Sequence, residues 1–370
     1  MKSIQRCLIA VLTMLFYLST TLAGEDNIAS SSTPSVHGRA AVNALQKWYV
    51  PETGLYQSTG WWNSANAITA LANFSRLVGT GEFDSVFINT LRTAPASKDG
   101  GLGFLNKYYD DEGWWALAWI DVYDLTHDRS YLLMANSIFS DMKSGWDATS
   151  CGGGLWWSKE RKYKNAIANE LFLSVAASLA NREPDADARR DDLEWALKEW
   201  IWFKQSGMIN GQHLINDGLE VSATGSCKNN GKEVWSYNQG VILGGLVELN
   251  RADADLNLPR VARSIARAAI KSLTDKQGVL HEPKETNPGA DAPQFKGIFA
   301  RNLMALNRDF PDRRYKSFLL TNAQSLWEKD RDASDRFGFY WTGPVDSVDA
   351  ARQSSALDLL IAADSLAPKQ

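Results

Sequence analysis

Apolar residues recur at intervals of three and four along most of the chain, which is the spacing of an α-helix with one buried face. In one segment, for example, Leu193, Ala196, Leu197 and Trp200 alternate with charged residues. The pattern predicts twelve helices, at about 37–49, 63–78, 82–93, 112–126, 129–143, 164–181, 187–205, 235–251, 258–273, 291–309, 312–329 and 349–366. Strand-like alternation is almost absent, so an all-α protein is predicted.

The connections between these helices alternate in length. Short ones, such as 126–129 and 309–312, are followed by long ones rich in Gly, Trp and Asn. The long ones lie at 50–62, 94–111, 144–163, 206–234, 274–290 and 330–348. Twelve helices joined in this way predict an (α/α)6 barrel of six helical hairpins. All long loops would then lie at one end of the barrel, where a groove can form.

The first residues have the composition of a secretory signal peptide. Lys2 and Arg6 precede a short apolar run and then small residues, and the run is shorter than the roughly 20 residues that span a bilayer. We therefore expect residues 1–23 to be removed, 24–35 to form a polar linker, and 36–370 to form a single domain of a secreted, extracellular protein. The C-terminal residues have no hydrophobic tail, so no membrane anchor is expected.

The composition argues against some classes of binding partner. The apolar content of 44% suffices for a large core, and the formal charge is −4. Without Lys2 and Arg6 the charge becomes −6 (−4 minus 2). An acidic body without a basic run argues against binding to nucleic acid or to an anionic membrane surface. We expect a monomer.

Three cysteines are present, and Cys7 lies within the predicted signal peptide. The remaining pair, Cys151 and Cys227, suits one disulfide in an oxidising compartment, and two unpaired buried thiols are the alternative. No Cys-x-x-Cys pair or nearby histidine suggests zinc, and no acid-rich loop suggests calcium. We therefore expect neither a metal nor a cofactor.

Fifteen tryptophans are the clearest compositional signal. Several come in doublets within or beside the long loops: Trp61-Trp62, Trp114-Trp115 and Trp156-Trp157. An indole offers a flat apolar face and one N–H donor, which suits stacking on a sugar and pairing with its hydroxyls. Core packing is the alternative for any single tryptophan, and it applies to Trp195 and Trp200 on their amphipathic helix. For the loop tryptophans as a set, a sugar groove is predicted.

Three consecutive acids, Asp110, Asp111 and Glu112, stand between Tyr109 and Trp114 at a predicted loop-to-helix junction. Acids are favoured in the first turn of a helix, so capping explains one of them well and two less well. We interpret Glu112 as such a first-turn acid. Two carboxylates in a low-dielectric pocket repel each other, which leaves one neutral acid and one charged nucleophile, as glycoside cleavage requires.

Spacing adds to the catalytic interpretation. Adjacent Cα atoms lie ~3.8 Å apart, so the carboxylates of Asp110 and Asp111 can lie within the roughly 5–5.5 Å of a retaining pair. On residues alone, catalysis and capping both stay open. Asn63 and Asn66, near a helix start, are open in the same way between capping and sugar binding. Asn238 and Gln239, which follow a loop containing Trp235, are stronger groove candidates.

The ordered motifs resemble those of glycoside hydrolase family 76, the endo-α-1,6-mannanases that include fungal cell-wall proteins. The resemblance covers about residues 37–366. The motifs that carry it are Gly60-Trp61-Trp62-Asn63-Ser64-Ala65-Asn66, Tyr109-Asp110-Asp111-Glu112-Gly113-Trp114-Trp115, Cys151-Gly152-Gly153-Gly154-Leu155-Trp156-Trp157, Lys164-Asn165-Ala166-Ile167-Ala168-Asn169-Glu170, Tyr237-Asn238-Gln239-Gly240 and Phe295-Lys296-Gly297-Ile298-Phe299. The resemblance implies an (α/α)6 catalytic domain and a retaining mechanism.

By the same resemblance, Asp110 is the nucleophile, Asp111 the general acid/base and Asp217 a substrate-binding carboxylate. The other residues expected to bind substrate are Trp62, Asn63, Asn66, Tyr109, Trp114, Trp115, Tyr237, Asn238 and Gln239. The implied function is hydrolysis of the α-1,6-mannan backbone of yeast or fungal cell-wall mannan. Two alternatives stay open: a cell-wall transglycosidase acting on mannan or lipid-anchor glycans, and a catalytically silent mannan-binding protein. The intact acid pair argues against the second, and the missing lipid signal argues against the first.

Overall fold

A computed structural model describes residues 36–95 and 102–366. The predicted signal peptide and linker lie outside the described residues, so the division into signal, linker and single domain stays a prediction. Within the described ranges there are twelve α-helices: α1 Val36–Leu45, α2 Trp61–Val78, α3 Asp84–Thr93, α4 Tyr109–Thr126, α5 Arg129–Ser144, α6 Ala166–Ala180, α7 Ala186–Gln205, α8 Ser236–Ala252, α9 Leu258–Leu273, α10 Ala292–Asp309, α11 Arg313–Lys329 and α12 Ala350–Asp364.

The even-numbered helices form a closed inner ring. Each of α2, α4, α6, α8, α10 and α12 packs against the next, and α12 packs against α2. The helices α5, α7, α9 and α11 each pack against a neighbouring inner helix. The prediction of an (α/α)6 barrel is confirmed. Because every inner helix begins beside a long loop, their N-termini meet at one end of the barrel.

Burial explains why the two sets of helices differ in sequence. Every residue of α6 is buried, and all but Asn169 and Glu170 are apolar or small. In α9, by contrast, only a stripe is buried, formed by Leu258, Ala262, Ile265, Ala266 and Ala269. A helix that is buried all round belongs in a core, and one with a single stripe belongs on the surface of one.

The structure differs from the prediction in three places. Helix α1 ends at Leu45, four residues before the predicted 49, and a 3-10 helix, Gln46–Trp48, follows it. Helix α4 begins at Tyr109, three residues before the predicted 112, so the acids lie inside its first turn. A helix N-terminus accepts such acids because its free N–H groups and dipole favour negative charge. Two short antiparallel hairpins, β1 Tyr49–Val50 with β2 Leu55–Tyr56 and β3 Leu219–Val221 with β4 Cys227–Asn229, lie in loops that the pattern left irregular.

One disulfide joins two of the long loops. Cys151, between α5 and α6, is bonded to Cys227 of β4, between α7 and α8. The predicted disulfide is confirmed. Within 36–95 and 102–366, no helix has the length and apolar character needed to cross a membrane.

Candidate active site

An aromatic cluster lies at the barrel end where the inner helices begin. It is formed by Trp62 of α2, Trp114 of α4, Tyr237 of α8 and Phe295 of α10. The ring centroids lie 5.7 Å apart for Trp62 and Trp114 and 6.5 Å apart for Trp114 and Tyr237. The rings of Tyr237 and Phe295 stack at 3.8 Å, and Phe295 lies 6.4 Å from Trp62, which closes the cluster. Three predicted substrate-binding residues, Trp62, Trp114 and Tyr237, are thus brought together.

Asp110 lies in the first turn of α4, one turn before Trp114. The indole Nε1–H of Trp157 donates a hydrogen bond of 3.0 Å to its Oδ2, whereas its Oδ1 is buried and accepts none within the described part of the chain. Burial, followed by the charge of Asp111, raises the pKa of Asp110 well above its ordinary value. Such a group, half-buried beside a second acid, is typical of a catalytic position.

Asn106, in the loop before α4, holds the other two acids of the motif. Its Nδ2–H donates a 2.6 Å hydrogen bond to Oδ2 of Asp111, and its backbone N–H donates one of 3.1 Å to Oε1 of Glu112. Its own Oδ1 accepts from the backbone N–H of Tyr108 at 2.7 Å. The loop therefore fixes the orientation of Asp111 relative to the start of α4.

Glu112 lies in the first turn of α4, as predicted, and it is also the buried partner of a lysine. It is fully buried, and Lys159 Nζ lies 2.9 Å from its Oε1 and 2.8 Å from Asp141 Oδ2. Burial, followed by the charge of Asp141, raises the pKa of Glu112 to about 8. Because one lysine faces two carboxyls, a proton on Glu112 leaves the group of three electrically neutral.

Asp217 lies between α7 and α8, next to the N-terminus of α6. Its backbone carbonyl accepts from the N–H of Ala166 at 2.8 Å, and its Oδ2 accepts from the hydroxyl of Tyr163 at 2.5 Å. Burial raises the pKa of Asp217, and the Tyr163 hydrogen bond opposes that rise. The segment is held by Gln239, whose side-chain amide both accepts from the N–H and donates to the carbonyl of Ile215, each at 2.9 Å.

Four carboxyl groups surround the phenol of Tyr237. Burial raises the pKa of this hydroxyl well above its ordinary value, and the charges of Asp217, Asp110, Glu170 and Asp291 add to the rise in that order. Asp291 also accepts a 3.0 Å hydrogen bond from the indole of Trp62. The predicted catalytic and substrate-binding acids therefore share one acidic cluster with the aromatic rings.

Several predicted substrate-binding residues have structural contacts instead. Trp115 is fully buried, with its ring centroid 4.7 Å from that of Phe104, and thus belongs to the core. Gln239 is fully buried, and its side-chain amide is occupied by the two hydrogen bonds to the backbone of Ile215. Both lie beside the groove in sequence, but their side chains are enclosed by packing.

The asparagines of α2 also have partners within the fold. Asn63 accepts from the N–H of Gly60 at 3.1 Å, which makes it a helix cap. Asn66 accepts from Arg301 at 2.5 Å, and Arg301 also pairs with Asp358 at 2.8 Å. These contacts favour the capping and ion-pair interpretations of these residues over sugar binding.

Tyr109 and Asn238 differ in what surrounds them. Tyr109 is buried, with Lys159 Nζ 5.5 Å from its ring centroid, so it supports the start of α4 from within. Asn238 is fully buried, yet neither its Oδ1 nor its Nδ2 has a hydrogen-bond partner within the described residues. Asn238 therefore keeps both ends of its amide uncommitted, beside Tyr237 in the sequence.

Sequence reasoning missed four residues of this region. Trp157, Tyr163 and Asn106 hold the acids by hydrogen bonds, and Glu170 is a fully buried acid on α6. Both oxygens of Glu170 are without a hydrogen-bond partner within the described residues. Trp157 entered the prediction only as one of the loop tryptophans, and Glu170 only as the last residue of a family motif. Asn106 and Tyr163 gave no signal, because neither belongs to a motif and the partner of Tyr163 is distant in sequence.

Comparisons with known proteins agree with this arrangement. The family model described as Glycosyl hydrolase family 76 matches residues 37–369. The mannan endo-1,6-alpha-mannosidase DFG5 of Candida albicans is 25% identical over 335 residues, which cover 82% of this chain and 72% of that protein. The mannan endo-1,6-alpha-mannosidase DCW1 of Saccharomyces cerevisiae is 28% identical over 275 residues, which cover 68% of this chain and 59% of that protein. The chain thus spans about three fifths of DCW1, and the same share of a Schizosaccharomyces pombe relative.

A solved structure has the same fold. It is an inactive variant of the alpha-1,6-mannanase GH76A of Salegentibacter sp. HEL1_6, with two consecutive aspartates replaced by alanine, in complex with alpha-1,6-mannotetrose. The TM-score is 0.81 at 23% identity, over 90% of this chain and 99% of that one. At this identity the likeness concerns the fold alone.

Proposed function

The chain belongs to glycosyl hydrolase family 76, and from that membership we propose that it is a secreted, retaining endo-α-1,6-mannosidase that hydrolyses the backbone of yeast or fungal mannan. The observation that carries this proposal is the pair Asp110 and Asp111 in the first turn of an inner helix, beside the aromatic cluster. The solved structure with the same fold is an inactive variant with two consecutive aspartates replaced, in complex with an α-1,6-mannooligosaccharide, which is compatible with the pair and the substrate proposed here.

The proposed reaction has two steps. In the first, a carboxylate oxygen of Asp110 attacks the anomeric carbon from the face opposite the leaving group, and the glycosidic C–O bond breaks. Asp111 gives its proton to the departing oxygen, so a β-linked glycosyl-enzyme forms. In the second, Asp111 takes a proton from water, the water oxygen attacks the anomeric carbon, and the bond to Asp110 breaks. Two inversions return the α configuration.

Proton placement within the pair follows from its surroundings. Burial and the charge of Asp111 raise the pKa of Asp110, and we infer from this repulsion that the two acids share one proton. The nucleophilic step needs this proton on Asp111. The indole N–H of Trp157 and the N-terminus of α4 both favour negative charge on Asp110. A glycosidic oxygen bound next to Asp111 is then the acceptor of the proton.

The rest of the site suits a chain of mannose units. The faces of Trp62 and Trp114 can stack on the apolar faces of sugar rings, and carboxylates such as Asp217 can accept hydrogen bonds from sugar hydroxyls. The acidic surroundings suit a neutral or positively charged ligand and disfavour an anionic one. The signal-like N-terminus and the yeast mannosidase relatives support a location outside the cell.

The test is digestion of polysaccharides of defined linkage by the mature chain, residues 24–370. Linear α-1,6-mannan and α-1,2-branched mannan would be incubated with equal enzyme, and the products would be separated by size. The proposal expects internal cleavage of the linear polymer into a ladder of α-1,6-mannooligosaccharides, with none from the Asp110→Asn, Asp111→Asn double variant. Absence of new reducing ends contradicts it. In a parallel incubation with α-1,6-mannooligosaccharides, products longer than those supplied would instead indicate a transglycosidase.

A further inference from the structure

Tyr163 lies at a junction between the two long loops that the disulfide joins. Its hydroxyl donates to Oδ2 of Asp217 at 2.5 Å and accepts from Nδ2–H of Asn230 at 2.9 Å. Both capacities of the phenol, donor and acceptor, are thereby used. Asn230 lies just after β4, three residues beyond the disulfide at Cys227. The hydrogen-bonded chain therefore runs from a covalently anchored hairpin to Asp217.

Hydrogen bonds also fix the backbone around Tyr163. The next residue, Lys164, is fully buried, and its Nζ donates to three backbone carbonyls, those of Asp147, Ser150 and Gly153, at 2.6 to 2.8 Å. The carbonyl of Tyr163 accepts from the N–H of Trp157 at 2.7 Å. Trp157 is itself the donor to Asp110, so one segment, residues 157–163, reaches both acids.

Gly218, next to Asp217, makes room for the phenol. A Cβ added there would lie 2.4 Å from Oη of Tyr163 and 2.7 Å from the carbonyl oxygen of Lys164. Real Cβ atoms do not approach other heavy atoms so closely, so any side chain would displace the tyrosine hydroxyl. The glycine is explained by this contact, because its backbone does not need a positive φ.

We propose that Tyr163 is a positioning residue, which fixes the orientation and charge of the Asp217 carboxylate for binding of a mannose unit. This inference rests on the proposed function, in which Asp217 binds substrate. The phenol donates to one oxygen of the carboxylate, Asn230 holds the phenol, and Gly218 leaves space for it. None of the three touches the reacting atoms, so their effect on turnover must pass through Asp217.

The charges around Asp217 set the direction of the expected effect. Burial raises its pKa, and the hydrogen bond from Tyr163 is the first opposing influence. The other groups that face it are Glu233, Lys232, Trp235, Glu170 and Tyr237. Burial and the charge of Asp217 also raise the pKa of Tyr163, so the phenol stays a donor through the working pH range. Loss of this donor leaves the carboxylate less stabilised and protonated up to a higher pH.

The experiment compares Tyr163→Phe with wild type on α-1,6-mannooligosaccharides across the pH range. The acid limb of kcat/KM should move to higher pH by about one unit, with KM raised about tenfold and kcat changed much less. Tyr49→Phe is the matched control, because it removes a phenol that bonds Thr90 and Val86 away from the site. Its profile should coincide with that of wild type.

Two further variants keep the test decisive if Tyr163→Phe folds poorly. Gly218→Ala should reproduce the shift by displacing the phenol, and Asn230→Ala should give a smaller shift in the same direction. An unchanged acid limb in all three overturns the inference while wild type stays active. A fall in kcat at constant KM also overturns it, because it would place Tyr163 in the chemical step. A wild type inactive on mannan would instead contradict the proposed function.

Discussion

Helix α4 pairs the acids near its C-terminal end with arginines, whereas at its N-terminal end Glu112 is paired with Lys159 and Asp110 is paired with no lysine or arginine in the described ranges. At the C-terminal end, Asp124 receives two hydrogen bonds of 2.7 Å from Arg182, and Asp121 lies 3.2 Å from Arg76. At the N-terminal end, Asp110 is held by a neutral indole, and no ion pair with lysine or arginine reaches it in the described ranges. One helix thus carries neutralised acids at one end and a cation-free acid at the other.

The helix dipole explains only part of this difference. A dipole disfavours acids at a C-terminus and favours them at an N-terminus, so arginines are needed more at the first. It does not explain two adjacent acids at the N-terminus, where mutual repulsion and burial raise the pKa of Asp110. Unneutralised buried charge costs stability, so its presence beside the aromatic cluster points to function. We expect the barrel end where the inner helices finish to serve stability and the end where they begin to serve catalysis.

The comparison between the two ends of α4 is tested most severely by neutralising the proposed catalytic pair. Asp110→Asn and Asp111→Asn should each lower kcat/KM on the order of 10⁴-fold, because each removes a group acting on the reacting bond. Neither should lower the free energy of unfolding, since each also removes a desolvated charge and its repulsion. Kinetics on α-1,6-mannan and urea unfolding of the same preparations measure both quantities. A variant that loses stability in step with activity would assign the acids to the fold.

The complementary change is at the barrel end where α4 finishes. Arg182→Met leaves Asp124 without its partner and removes one from Glu248, so the free energy of unfolding should fall by about 3 kcal/mol. The kcat of the folded protein should not change. Arg190→Met is the matched control, since its pair with Asp187 is exposed and such pairs contribute little. Equal losses from both arginines would show that burial of the pair does not matter.

The smallest effect is expected at Glu112, the third acid of the motif. Glu112→Gln should keep kcat within about threefold and cost about 1 kcal/mol at pH 5, because a protonated carboxyl and an amide are near-isosteric. The pKa of Glu112 is raised from 4.5 to about 8, so its stabilising effect is complete below pH 4.5 and is lost as the pH rises through 8. The variant should therefore become more stable relative to wild type between pH 5 and 8, measured by urea unfolding. If the variant's loss of unfolding free energy relative to wild type did not change over this pH range, Glu112 would form a permanent ion pair with Lys159.

Much of the fold could be predicted because its signals are local. Helical periodicity and alternating loop lengths lie within short stretches of sequence, and they gave all twelve helices and the barrel. The disulfide followed because only Cys151 and Cys227 lie outside the predicted signal peptide. The start of α4 was predicted three residues too far along the chain, because acids and aromatics carry no strong helical period of their own.

The site was harder to predict from the sequence because its contacts are long-range. Trp115 and Gln239 adjoin the groove in sequence, but only packing shows that the first faces the core and the second clamps Ile215. The partner of Glu112, Lys159, lies in a different loop, as does Tyr163, the partner of Asp217. A residue type next to a motif indicates what chemistry is available, but not which neighbour uses it.

The central claim, that adjacent acids on α4 cleave mannan through a glycosyl-enzyme, is tested most directly by the stereochemistry of the product. Proton NMR of an α-1,6-mannooligosaccharide digest, recorded within minutes of mixing, distinguishes the first-formed anomer before mutarotation. The account predicts that the α anomer appears first and the β anomer follows slowly. A β anomer appearing first would contradict Asp110 as nucleophile and require a separate base that activates water.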